Sequence, residues 1–270
     1  AEVDPEPGEE LEEGILENSA LETRRASAGV TYVGDRGYFG VAYTNQRSDY
    51  GVPGHHHEEE GPVLPGAEEE EEAVTIDLDQ NRIDFEGQLR FGSGTVRNLK
   101  GRFGYADYTH VELEGEEVGT SFFNEYFEGR LESEHVLTDR LQGAIGAQFI
   151  SRDFEAIGEE AFVPPAKTLT FGAFAYEDYA VSDVLSVQGG LRFEGRTAES
   201  VETGIDRAFS ETSASLGANW AASENVSFAF SGSRSVKMPN SEELFSDGPH
   251  AATESFEIGD PNLDVETALS

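Results

Sequence analysis

Apolar and polar positions alternate along most of this chain with a period of two, the signature of strands with one apolar face. Val30 and Tyr32 alternate with small or polar partners, and Phe39, Val41 and Tyr43 follow. Ile83, Phe85, Leu89 and Phe91 share one face, as do Leu99, Phe103 and Tyr105. The pattern returns at Phe123, Phe127 and Leu131, then at Leu141, Ile145 and Phe149. It continues through Leu169 and Phe171; Leu185, Val187, Leu191 and Phe193; Leu216 and Trp220; and Val226, Phe228 and Phe230. The opposite faces carry Gly, Ser, Gln, Glu and Arg, so each predicted strand is greasy on one side and wet on the other.

The links between these strands separate two architectures. Short ones fall at 34–37, 92–95, 137–140, 181–183 and 223–225. Long ones fall at 48–73, 109–120, 155–167, 198–208 and 237–262, and the two kinds alternate. A soluble sandwich has no reason to alternate in this way. A transmembrane barrel does, with tight turns at one rim and long extracellular loops at the other. "LQGAIGAQFISRDF" and "LSVQGGLRFEGR" also exceed the ~5–6 residues usual in soluble strands and reach the ~9–11 that cross a bilayer at a tilt. The predicted class is all-β: an antiparallel up-and-down transmembrane β-barrel, of which about ten to eleven strands are present. Residues 1–24 read as an acidic loop segment and 25–270 as the partial barrel. An open sheet in lipid would expose two unpaired edges, so further strands are expected and the chain reads as a piece of a longer protein.

Composition narrows the partners. There are 54 acidic and 18 basic residues, a net charge of −36, which excludes a phosphate-binding face and with it a nucleic-acid partner. No cysteine is present, so disulfides and thiolate metal sites are excluded. No run approaches the ~18 apolar residues of a transmembrane helix. Nor do the residues assemble a nucleophile, base and orienter, a phosphate-cradling glycine loop or a catalytic carboxylate pair, so no enzyme is expected.

"YGVPGHHHEEE" (50–60) is the sharpest chemical motif. Zinc takes imidazole nitrogen and carboxylate oxygen, usually four ligands in all. On an extended backbone His55 and His57 fall on one side and His56 on the other, with Glu58, Glu59, Glu60 or Asp49 as further donors. Glu68–Glu72 adds negative potential that concentrates cations over a Debye length of ~8 Å. The bland alternative is a solvated acidic loop with incidental histidines. His110, with Glu112 two residues on, begins a second acidic loop (Glu112, Glu114, Glu116, Glu117), where His and carboxylates at that spacing can share a face; His135, beside a short turn, reads as structural or merely exposed. In "PNSEELF", Asn240 or Ser241 caps a helical turn whose positive end meets Glu242 and Glu243.

The stretch 233–268, "SRSVKMPNSEELFSDGPHAATESFEIGDPNLDVETA", resembles the TonB-dependent outer-membrane receptors. Pro239, Glu242, Glu243, Leu244, Phe245, Gly248, Pro249, His250, Ala252, Thr253, Phe256, Glu257, Gly259, Asp260, Pro261, Leu263 and Glu266 stand at the positions of the family pattern. "YGVPGHHHEEE" with its acidic tract, "DYTHVELEGEEVGTSFFNEYFEGRLE" and "FEAIGEEAFVPP" are similar to the zinc-receptor (ZnuD-like) branch. The resemblance implies a 22-stranded barrel filled by a plug carrying a TonB box. It also implies the outer membrane of a Gram-negative bacterium as the location, membrane lipid and the TonB complex as partners, and zinc or a zinc complex as transported ligand, with no prosthetic group. In that branch His250 suits a deeper site above the plug, sharing metal with Asp247. Within the family, haem or ferric-siderophore import is the rival cargo; a passive porin or surface adhesin is the rival of another class.

Overall fold

The structure is a computed structural model and describes residues 16–57, 72–115, 117–158, 161–250 and 255–270. Ten strands follow one another: β1 (Leu21–Gly34), β2 (Gly37–His57), β3 (Glu72–Arg90), β4 (Val96–Glu114) and β5 (Glu117–Thr138), then β6 (Leu141–Gly158), β7 (Ala166–Ser182), β8 (Leu185–Ser200), β9 (Ile205–Ser223) and β10 (Val226–Lys237). A short helix α1 (Ser241–Phe245) precedes β11 (Asp247–His250), β12 (Ser255–Ile258) and β13 (Glu266–Leu269). Each of the first ten strands pairs with its chain neighbour and β13 pairs with β10, giving one antiparallel sheet of 11 strands in chain order. β11 and β12 form a separate two-stranded ribbon. This is the predicted up-and-down arrangement.

Register carries the alternation from strand to strand. Val30, Val41, Phe85, Phe103, Gly129, Phe149 and Phe171 occupy one continuous cross-strand row. The large side chains of this row are uncovered by protein: Phe85 and Phe103 are each 40% exposed and Phe171 49%. A sandwich would bury such a face against a second sheet. Here it is a lipid-facing band, with Trp220 stacked on Phe228 at 5.7 Å near the short-turn rim, where an aromatic belt is expected. Four residues up β4 from Phe103, the same outer face turns polar. Asn45, Asn81, Asp107, Glu125, Asp153, Lys167, Glu199 and Asp206 form one row across eight strands. On β4 the apolar band therefore runs from Leu99 to Tyr105, and the strand continues past it to Glu114. No helix among the described residues is long and apolar enough to cross a membrane.

The short links fall where the pattern puts them, but the long ones are shorter than predicted. β4 ends at Glu114 and β5 starts at Glu117, so most of 109–120 is strand. β8 reaches Ser200 and β9 starts at Ile205, which does the same to 198–208. β2 extends through His57 and β3 starts at Glu72, trimming 48–73. β6 reaches Gly158 and β7 starts at Ala166, trimming 155–167. β1 also begins at Leu21, inside the segment read as loop. The physical reason is common to all: above the membrane both faces are wet, so the hydrophobic alternation stops while the backbone ladder continues.

Arginine placed at Phe103, mid-band on the outer face, is expected to cost about 2–4 kcal/mol of barrel stability. Arginine at Asp107, on the same face above the band, is expected to change it by less than about 0.5 kcal/mol. Equilibrium unfolding of the protein refolded in lipid vesicles measures both.

Candidate functional site

The inner wall faces away from the band and is charged but internally neutralised. Arg82 pairs with Asp84 at 2.7 Å and reaches Glu128 at 3.5 Å; Arg130 pairs with Glu132 at 2.8 Å, and Arg192 with Glu194. Arg82, Arg102, Arg130 and Gln148 line a depression of about 320 Å³. Because its carboxylates are already matched by guanidinium groups, this part of the wall has little attraction left for a cation.

Higher on the same wall the pairing changes. The two-residue period brings Tyr108, His110 and Glu112 onto one face of β4. The Tyr108 hydroxyl lies 2.9 Å from His110 Nδ1. Burial, with Tyr50 and Glu112 adding to it, raises the Tyr108 phenol; in the tautomer with its hydrogen on Nδ1, His110 donates to the Tyr108 oxygen and keeps the Nε2 lone pair for a metal. His110 stacks on Phe122 at 4.3 Å, which fixes the ring plane. Its Nε2 then faces Glu112 Oε1 at 3.8 Å. Two donors of a tetrahedral zinc, each ~2.0–2.2 Å from the metal, stand about 3.4 Å apart, so this pair needs only a small closure to share an ion. Both side chains are about one-fifth exposed. Among the described residues no three His, Asp or Glu side chains converge as a complete metal centre. The wall thus offers half a coordination sphere.

The other predicted residues are placed as follows. His56 stands opposite Ala73 and His57 opposite Glu72, after a register break beyond Gly51. The extended backbone invoked for His55, His56 and His57 is present, because β2 runs through them. Their side chains, and Glu58 and Glu59 altogether, lie outside the described residues. His110 is paired with Leu78, six positions from Glu72 along β3, or roughly 20 Å down the wall. His135 is buried and bonds Glu177 at 2.9 Å, as a structural histidine would.

The late loop folds back onto the inner wall. Asn240 caps α1 with a reciprocal box: Glu243 N–H donates to Asn240 Oδ1 at 2.7 Å, and Asn240 N–H donates to Glu243 Oε2 at 2.9 Å. Leu244 is completely buried and Phe245 nearly so, against Ala166 and Ala198, with Ile205 and Phe209 alongside. Burial of two such side chains stabilises docking by about 1.5–3 kcal/mol each. Gly259 lies so close that a Cβ there would come within 2.7 Å of the α1 backbone. Asp247 is exposed, and its N–H donates to Phe162 O at 2.8 Å. Asp247 pairs with Ile258 and His250 with Ser255, at opposite ends of the ribbon. The side chain of His250 lies outside the described residues, so the pairing of these two on one metal is untouched by the geometry. Sequence reasoning passed over Tyr108, Phe122, Arg152 and Arg196. The first had a readable signal, two residues before His110 on the same face.

A family model described as "TonB dependent receptor-like, beta-barrel" matches residues 17–270. Among solved structures, the chain is similar to the copper transporter OprC, with a TM-score of 0.71 at 11% identity over 93% of this chain and 42% of that one. It is similar to the FrpB iron transporter from Neisseria meningitidis (F5-1 variant), with a TM-score of 0.65 at 15% identity over 83% of this chain and 38% of that one. A double mutant of the Serratia marcescens hemophore receptor HasR, in complex with its hemophore HasA and heme, gives a TM-score of 0.65 at 12% identity over 92% and 41%. At these identities the likeness shows the fold. The chain spans about two fifths of the length of these structures.

Burial pushes the Glu242 carboxyl up, but the Arg152 guanidinium outweighs it and holds the group below the usual carboxylate range. Lys237 and the Asn240 N–H hold Glu243 low as well. A depressed folded value contributes stability above the unfolded value, near 4.3, and loses it as pH falls through the lowered one. Protection of residues 238–246, taken as the exchange rate relative to the intrinsic rate at each pH, should therefore be constant from pH 7 to about pH 5 and fall below about pH 4. Glu242→Gln should remove much of that pH dependence.

Proposed function

The chain belongs to the TonB-dependent receptor β-barrel family, and we propose that it forms part of the wall of a Gram-negative outer-membrane receptor that captures and imports zinc or a zinc complex. A closed wall needs further strands to join the free sides of β1 and β13, which suits a barrel longer than these residues. A plug inside that barrel, coupled to the TonB complex, would supply the gate. The proposed work is binding and passage, with no bond made or broken.

The observation that carries the cargo is the His110–Glu112 pair, held by Tyr108 and Phe122 on a wall whose other acids are largely matched by arginines. The sequence after β2 is strongly acidic. Residues 58–71 hold seven glutamates and no basic residue, next to the three histidines. In this reading the acidic tract concentrates cations, and His110 with Glu112 offers them a first fixed contact roughly 20 Å along the wall from Glu72. His250 and Asp247, on opposite faces of β11, are proposed as alternative further donors from the late loop.

One observation favours a second cargo. His110 sits in an aromatic strip with Tyr108, Phe122 and Phe154, the last two rings 6.5 Å apart. Such a strip suits a metal that arrives inside an organic chelate, with the protein adding only one or two ligands. Structural neighbours named for copper, iron and heme keep that reading open within the family.

Calorimetric titration of the refolded protein with zinc separates them. Binding at micromolar or tighter is expected, weakened at least about tenfold by His110→Ala or His250→Ala, whereas His55/His56/His57→Ala removes only weak extra sites. Absence of zinc binding, or indifference to all these changes, would move the cargo to haem or a ferric siderophore.

A further inference from the structure

The ten residues after β10 do not turn away from the wall; two arginines hold them to it. Arg196, on β8, donates through Nη1 to the carbonyls of Met238 at 3.0 Å and Pro239 at 3.2 Å, and through Nε to Thr170 Oγ1 at 3.2 Å. Arg152, on β6, donates through Nη1 to Glu242 Oε1 at 2.8 Å and through Nε to Asn124 Oδ1 at 2.9 Å. Its guanidinium also lies 4.9 Å from the centre of the Phe154 ring. Each arginine is thus tied to a neighbouring strand with one edge and grips the loop with the other. That division of labour requires the forked, planar guanidinium; an ammonium has no second edge.

The two grips bracket the start of α1. Arg196 holds the two residues before the cap, and Arg152 holds the first-turn carboxylate. Beyond the helix, the Ser246 N–H closes on Glu242 O at 3.2 Å and the Asp247 N–H on Phe162 O at 2.8 Å. Gly248 packs so tightly on the same residue that a Cβ there would meet Phe162 Cα at 2.9 Å. The direction in which β11 leaves the wall therefore follows from where α1 is clamped.

We propose that Arg152 and Arg196 are positioning residues, a two-point clasp that sets where the β11–β12 ribbon, with Asp247 and His250, stands over the inner wall. Only the cargo assigned to those two residues rests on the function proposed above; the clasp is a statement about the ribbon's position. Packing of Leu244 and Phe245 alone would hold the helix to the wall but would let it pivot about its short axis. The arginines, one on each side of the cap, remove that pivot.

Double electron–electron resonance tests this on the complete protein with no other cysteine, spin-labelled at Thr197→Cys on the outer face of β8 and Phe256→Cys on β12. The parent is expected to give one narrow distance distribution. Arg152→Ala and Arg196→Ala should each broaden it, Arg152→Lys should broaden it as well, and Arg152→Glu with Glu242→Arg should restore most of the narrow peak. Unchanged distributions in the alanine variants would overturn the clasp. So would broadening that the exchanged pair fails to repair, because general loosening of the loop would then explain it. Unaltered circular dichroism and heat-modifiable migration confirm that each variant has folded. A zinc titration of the same samples keeps the two proposals apart: a parent that binds no zinc contradicts the import reading, while the distance distributions still decide the clasp.

Discussion

A backbone N–H or C=O in hydrocarbon has no water to bond, so every such group crossing a membrane must find its partner in protein. The long antiparallel ladder from β1 to β10 answers that constraint, and most of the molecule follows from it. Chain-neighbour pairing needs only tight turns on one side, such as Asp35–Arg36 and Asp139–Arg140. Pairing fixes register, and register aligns the two-residue alternation of each strand with that of the next. The aligned rows become an apolar outer band and a polar inner wall without any buried core between layers. Among the described residues the small core around Leu244 and Phe245 is an addition to the wall, formed where the late loop docks.

Charge is partitioned by the same geometry. On the inner wall, arginines alternate with carboxylates at two-residue spacing, as in Arg82 and Asp84, Arg130 and Glu132, or Arg192 and Glu194. Each pair shares a face of one strand and largely cancels. Part of the surplus that makes the chain −36 stands on the polar outer row above the band, and the sequence carries more in residues 1–17 and in the tract after the histidines. A cation approaching from outside would meet that surplus first and then a neutral wall, with His110 and Glu112 at the transition. The field attracts and the wall does not retain, an arrangement suited to passage more than to storage.

How much of this was legible in the sequence depends on which force shaped each part. Strand identity and the outer face were legible because lipid enforces a strict period of two, visible at Leu99, Phe103 and Tyr105. Loop boundaries were not, because Thr109, Val111 and Glu114 lie on strands wet on both faces, where no such period is imposed. Asn240 as a cap was readable from local chemistry, since its partner is three residues away. Arg152 was not, because its partner Glu242 is 90 residues distant and only the fold brings them together. The pairing of His110 with Glu112 was visible as a shared face, and Tyr108 two residues before it was readable in the same way, but the role of Phe122 from the next strand needed the register.

The central claim is that a metal ion is first held on the inner wall between His110 and Glu112. Anomalous diffraction from crystals of the complete protein soaked in zinc, collected on both sides of the zinc edge, tests it most directly. A peak is expected within about 2.0–2.2 Å of both His110 Nε2 and Glu112 Oε1. Ordered zinc found only elsewhere on the protein, with these two side chains unliganded, would contradict it.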